Sequence, residues 1–273
     1  MISRKIKDRF KRLQNGRARG LVAMVGTIQQ SLKYLSPVHI YTDQDGDWYN
    51  KREGFTFVSS ELNVTSWQQV ETRVLDFWCH GYIPKNGDTV IDVGAGIGDD
   101  VVAFSRMVGV TGRVIAIEAH PRTYQCLVKT IEANKIRNVI AINAAVSDSE
   151  GYISISDTDN LLSNSTQHGN RTISVQARTL ENILAETDSN RIDLIKMNIE
   201  GAETFALAGM TSALINTPHI VVSCHDFKAN RGEGEEFRTY EDVCKVLLSS
   251  NYELSNRPED KRPEVPFYVY GKK

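Results

Sequence analysis

The sequence predicts an α/β fold built on a mostly parallel central sheet covered by helices on both faces. Two patterns point to it. Short β-branched apolar runs, Thr89–Val93, Arg113–Glu118 and Val139–Val146, alternate with segments of helical periodicity, Asp99–Val108 and Pro121–Asn134. Apolar residues fall on both faces of each run, with charged or polar residues mainly at the ends, as in strands buried on both faces. A glycine-rich turn, Gly94-Ala95-Gly96-Ile97-Gly98, joins the first strand to the first helix, the usual place for a nucleotide-like ligand in an open α/β sheet.

Residues 1–84 read as an N-terminal extension and 85–273 as the main domain. The first 20 residues carry Arg4, Lys5, Lys7, Arg9, Lys11, Arg12, Arg17 and Arg19 against one acid, Asp8, and Ile6, Phe10 and Leu13 share one helical face. Two readings stay open: a peripheral helix on an anionic membrane or partner, and a solvated basic helix. Segments 39–41 and 55–58 flank the polar Asp43-Gln44-Asp45-Gly46-Asp47 and predict a hairpin. The acids do not match a calcium loop, because counting from Asp43 the positions that need Gly and Glu hold Trp48 and Gly54. Trp67–Cys79 has helical spacing, and Pro84–Asp88 is the boundary turn. Beyond the first three strands, an inserted hairpin is expected from Tyr152–Ser156 and Thr172–Gln176. Helix Leu180–Leu184, strand Ile192–Ile199, helix Glu203–Leu207, strand His219–Cys224 and helix Tyr240–Ser249 continue the alternation. The link between Tyr252–Ser255 and Phe267–Tyr270 is too short for a crossover helix, so these should form an antiparallel pair closing the sheet.

Bulk properties narrow the function classes. A net charge of −2 gives no chain-wide attraction to nucleic acid. Four widely spaced cysteines without a Cys-x-x-Cys pair read as reduced thiols of a cytoplasmic protein. No run approaches the roughly 20 apolar residues of a membrane span. Oligomeric state is left open, and the Asn-x-Ser/Thr triplets at Asn63, Asn164 and Asn170 carry no weight without secretion.

The loop's chemistry selects its ligand. Gly94, Gly96 and Gly98 are spaced two apart, and the helix then opens with Asp99-Asp100. A pyrophosphate there would meet carboxylates where it needs bare N–H groups, which disfavours an NAD-dependent oxidoreductase. S-adenosylmethionine is cationic and carries no phosphate. Asp92 at the strand end suits its methionine portion, with Ala95 in the turn. Glu118 ends the second strand 24 residues after Gly94, where a carboxylate can accept ribose hydroxyls. Asn143 or the Ala144-Ala145 backbone is expected to face the adenine, and Ala119 is expected among the cofactor contacts.

These residues resemble a known family. The stretch Gly87–Gly98, followed by Arg113–Pro121, Asn143–Val146, Thr179-Leu180-Glu181 and Ile192–Glu203, is similar in order and spacing to the FkbM methyltransferases over about residues 85–226. The resemblance implies a class I (Rossmann-like) methyltransferase sheet, S-adenosylmethionine as cofactor, and O-methylation of hydroxyls on sugars, lipids or secondary metabolites.

Lys196, Asn198 and Glu200 alternate along the fourth strand and point to one face at its ligand-binding edge. A hydroxyl acceptor needs a base. The family block would place Asp at position 198, whereas this chain has Asn198, which takes no proton. His225 and Asp226, ending the next strand, are the expected replacements, with Glu200 a further candidate. Asn198, Glu200 and Asp226 also offer oxygen donors of the kind a divalent cation accepts, although no spacing demands one. The other class of function kept open is a catalytically altered binding or membrane-associated protein on the same fold, motivated by Asn198 and the basic N-terminus.

Overall fold

The computed structural model describes residues 16, 18–156, 172–187, 189 and 191–273. The expected basic helix over 1–20 and the polar segment 157–171 lie largely outside them. The chain opens with helix α1 (Arg19–Tyr34), a three-stranded meander β1 (Val38–Thr42), β2 (Trp48–Arg52) and β3 (Phe55–Ser59), and helix α2 (Trp67–Arg73). Helix α2 starts at a capping box in which Ser66 and Gln69 exchange hydrogen bonds, and it runs on as a π-helical turn, Val74–Trp78. The alternating core follows: β4 (Thr89–Val93), α3 (Asp99–Val108), β5 (Arg113–Glu118), α4 (Pro121–Ala133), β6 (Val139–Asn143), β7 (Ala145–Val146), β8 (Gly151–Ser156), β9 (Thr172–Arg178), α5 (Leu180–Glu186), β10 (Leu194–Met197), α6 (Glu203–Ala208), α7 (Thr211–Asn216), β11 (His219–Ser223), α8 (Asp226–Ala229), α9 (Tyr240–Ser249), β12 (Glu253–Ser255) and β13 (Tyr268–Lys272).

Seven strands form the central sheet in the order β12-β13-β11-β10-β4-β5-β6, parallel except for β13, which pairs antiparallel with both neighbours. The closing strand pair and the inserted hairpin β8–β9 are as expected. Alternation along the strands splits the core in two. Ile91, Val93, Ile115, Ile117, Ile195 and Met197 meet α5, α6, α7 and α9 on one face. Val90, Val114, Ala116 and Leu194 meet α2, α3 and α4 on the other. Asp92 and Lys196 are in phase with this second set. They are cross-strand partners in neighbouring β4 and β10, which places two charged side chains beneath the start of α3.

Two expectations are corrected. The N-terminal hairpin is a meander: Phe55–Ser59 pairs with Trp48–Arg52, not with β1. In β2 Trp48, Asn50 and Arg52 point inward, so polar residues on the buried face hide the usual alternation. The expected strand Val139–Val146 breaks at Ala144, and β7 leaves the central sheet to pair with β9. The turn Asp43–Asp47 is tied to α4: Lys129 Nζ donates to Asp43, Asp45 and Asp47 at 2.7, 2.8 and 2.5 Å, and Arg122 also pairs with Asp47. Residues ahead of position 85 share the main core, with Phe57, Val70, Val74 and Trp78 packed in the cluster that holds Val90 and Phe104.

Candidate active site

The ends of β4, β5 and β10 open into a cavity of about 410 Å³. Gly94, at φ +77°, begins its floor, and a Cβ there would lie 2.0 Å from the Asn198 carbonyl oxygen, so the approach of the two strand ends excludes any side chain. Gly94 and Ala95 donate their N–H groups to the Ile117 carbonyl, which bends the turn toward β5. Glu118 sits on the wall. Its two carboxylate oxygens accept the N–H groups of Gly96 and His120, each at 2.9 Å, and each oxygen keeps a further lone pair for a ligand hydroxyl. Burial nevertheless pushes its carboxyl above the ordinary range.

Beneath the turn, Lys196 Nζ donates to Asp92 Oδ1 at 2.6 Å and to the Gly94 carbonyl at 2.9 Å, and lies 4.8 Å from the centroid of the Trp78 ring. Asp92 is fully buried and its Oδ2 has no hydrogen-bond partner among the described residues. Burial, only partly offset by Lys196, pushes its carboxyl up to about 7. At the mouth of the turn, Arg73 pairs with both Asp99 and Asp100, while Trp78 Nε1 donates to Asp100 at 2.8 Å. Burial opposes the charge on Asp100, but Arg73 and Lys196 hold its carboxyl below the usual range.

Of the residues expected at the cofactor, Gly94, Ala95, Gly96, Asp99, Glu118, Ala119 and Ala144 line the cavity. Three lie behind its surface. Asp92 is the buried partner of Lys196. Gly98 caps α3 at φ +88°, where a Cβ would strike Leu127. Asn143, expected to face the adenine, instead donates to the carbonyls of Glu118 and Ala119 at 2.8 and 3.0 Å, because it is level with Glu118 on the adjacent strand. Ile117, Ala145, Val146, Ile153 and Ile155 make an apolar wall beside Glu118.

Among the expected catalytic residues, Lys196, Asn198 and Glu200 reach the cavity, whereas His225 and Asp226 do not line it. His225 is buried behind Glu200. Its Nδ1 is 2.8 Å from Glu203 Oε1, and its Nε2 is 3.6 Å from Glu200 Oε1. Glu203, fully buried, also accepts from Gly201 N and Thr239 Oγ1. Burial by itself would lower the histidine and raise the glutamate. Their mutual bond prevails, so His225 titrates above and Glu203 below the ordinary value. Glu200 pairs with Lys228 on its other oxygen. Asp226 accepts the N–H groups of Thr239 and Tyr240 at 3.1 and 3.0 Å, serving the start of α9. With Asp226 turned away and Glu200 held by Lys228, the oxygen donors expected for a divalent cation are not brought together.

Reading the sequence missed Arg73, Phe77 and Trp78, the wall given by α2 and the π-helical turn that continues it, and Tyr268 from β13. From the sequence Glu203 enters only as the end of the family block and the start of a helix. Glu203 follows Glu200 at helical spacing beside Gly201, a signal that could have marked it as a partner for a neighbouring strand end.

The cavity wall carries Asp99, Asp100, Glu118, Glu200 and Glu264 against Arg73 and Lys196. This acidic excess, the orphaned Asp92 oxygen, the Gly94 cradle and the apolar slot together fit a cationic adenosyl ligand. Sheet order, glycine turn and the carboxylate ending β5 define a class I S-adenosylmethionine-dependent methyltransferase. The chain belongs to the FkbM family: the Methyltransferase FkbM domain matches residues 92–254. No curated protein matches the sequence significantly. Solved structures similar in fold include Aeropyrum pernix fibrillarin with natively bound S-adenosyl-L-methionine, at 11% identity and TM-score 0.49, covering 86% of this chain and 99% of that one. An S-adenosylmethionine-dependent methyltransferase from Aquifex aeolicus has 16% identity and TM-score 0.44, covering 76% and 97% of the two chains. A putative O-methyltransferase from Klebsiella pneumoniae has 9% identity and TM-score 0.44, covering 76% and 80%.

Proposed function

We propose that the chain methylates a hydroxyl group of a small-molecule, glycan or lipid acceptor, with Glu200 as the group that takes the proton. The observation that carries this reading is the placement of Glu200: its carboxylate is on the cavity wall, backed by His225, which is itself held by Glu203. Glu118 would hold the ribose, the apolar wall of β7 and β8 the adenine, and the β4 turn with Asp99 and Asp100 the cationic methionine end. When bound, S-adenosylmethionine supplies an electrophilic methyl group. The chain's own residues align the acceptor oxygen with that methyl, which lowers the barrier by orientation. Asn198 holds the acceptor by hydrogen bonds, Glu200 accepts its proton, and His225 with Lys228 stabilises the carboxylate between proton transfers. Residues 85–273 would form the catalytic domain, with 67–78 as one of its walls. Four free cysteines, three of them buried, fit a reducing cytoplasmic setting.

The test is transfer of labelled methyl from S-adenosylmethionine to panels of glycosides, long-chain alcohols and phenols, with amines, thiols and RNA as competing acceptors. An alkali-stable methyl ether on a hydroxyl acceptor is expected, and Glu200→Gln should lower kcat at least a hundredfold with cofactor affinity kept. Label found only on nitrogen, sulfur or RNA would overturn the acceptor class. Cofactor binding without transfer to any panel would favour the binding-protein reading that Asn198 motivates.

A further inference from the structure

Helix α1 carries an apolar face that is exposed among the described residues. Leu21, Met24, Val25, Ile28, Leu32 and Leu35 are each more than half exposed, and these six account for nearly half of the 14 exposed large hydrophobic residues among those described. The opposite side of the helix is what the protein holds. Ala23 is buried there, and Thr27 and Ser31, one turn apart, bond the edge of β1. Thr27 Oγ1 accepts from Ile40 N at 2.9 Å and Ser31 Oγ from Val38 N at 3.0 Å. These bonds protect an otherwise open strand edge and fix the helix so that its apolar stripe points away from the protein. The stripe ends at Leu35, whose left-handed conformation at φ 50° usually goes to glycine or asparagine and whose side chain is 92% exposed. Neither backbone nor core explains a leucine there.

Charge selects what covers this face. From Arg9 to Thr42 the chain has no acidic residue and six basic ones, Arg9, Lys11, Arg12, Arg17, Arg19 and Lys33. A second copy meeting the stripe would add another segment of the same sign and no acidic residue to pair with it, whereas an anionic lipid surface offers both an apolar layer and opposite charge. We infer that α1 is a membrane-surface helix that seats the protein on anionic bilayers through Leu21, Val25, Ile28 and Leu32, with the flanking Lys and Arg residues contacting lipid headgroups. No helix among the described residues is long and apolar enough to cross a membrane.

Co-sedimentation of the full chain with vesicles tests this. At low salt the protein should partition onto phosphatidylcholine vesicles containing roughly a third phosphatidylglycerol at least tenfold better than onto pure phosphatidylcholine, and L21D/I28D should lose at least tenfold. Unchanged thermal unfolding and demethylated-cofactor binding would show that the variant is folded, since both positions are exposed. Three outcomes overturn the proposal: no preference for anionic vesicles, unimpaired binding by L21D/I28D, or a wild-type dimer that this double substitution converts to monomer. The last assigns the face to a second copy.

Discussion

Glu118 is a carboxylate whose position does most of its work, because two backbone N–H groups orient both oxygens toward the cavity. Glu118→Ala should weaken binding of the demethylated cofactor by tenfold or more, as expected when hydrogen bonds to a charged group of about 1.5–3 kcal/mol are removed. Calorimetry measures it, and a change below twofold would reject the ribose assignment. His225 and Glu203 make a second residue-scale prediction. The histidine's folded pKa is raised, so its contribution to stability is complete below about pH 6.5 and is lost as pH rises through the folded value. The glutamate's is lowered, so its contribution is present above about pH 4.3 and is lost as pH falls through the folded value. The Tm deficit of His225→Gln should therefore be largest near pH 5–6 and shrink on the alkaline side. A pH-independent deficit would mean that the pair is not ionic. Glu118 was legible as a residue of the cavity because it ends a strand beside the glycine turn, and Asp92 was legible only as a strand-end carboxylate below that turn. The bond between Asp92 and Lys196 was not, since it exists only because β4 and β10, distant in sequence, are neighbours in register.

Helix α2 was legible as a helix from its apolar spacing but not as part of the site. Its Arg73 and Trp78 reach the first turn of α3 and offset two adjacent carboxylates that would otherwise repel each other. Arg73→Ala should lower stability by about 1–2 kcal/mol, less than the 3–5 expected on breaking a fully buried pair, because Arg73 is about a third exposed. It should also weaken cofactor binding by leaving Asp100 free to move, with Arg73→Lys retaining part of both. Chemical denaturation and calorimetry separate the two effects, and an unchanged cofactor Kd would remove α2 from the site. The missed strand β2 has the opposite history. Its inward Asn50 and Arg52 break the apolar alternation that marks a strand, and only pairing on both sides, with β1 and β3, makes the segment a central one.

For the whole molecule, cofactor binding and folding are linked because the site is assembled from β4, β5, β7, β10, α2 and β13. At a hundred times its Kd, S-adenosylmethionine should stabilise the fold by about 2.7 kcal/mol, which for a chain of this size is a rise in Tm of roughly 5 °C or more. Reduced nicotinamide dinucleotide should give no shift, because Asp99 and Asp100 occupy the helix start a pyrophosphate would need. Equal shifts with both ligands would contradict the cofactor assignment. The sequence by itself determined the alternating α/β class, the glycine turn, the two strand-end carboxylates and the family, since each is a local pattern or a short spacing. Tertiary structure alone decided that Lys196 neutralises Asp92, that Glu200 rather than His225 faces the cavity, that Asp226 and Asn143 serve the scaffold, and that one face of α1 is exposed among the described residues. Those outcomes depend on which strands and helices become neighbours, and contacts between residues 13 to 104 positions apart leave no periodic trace along the chain.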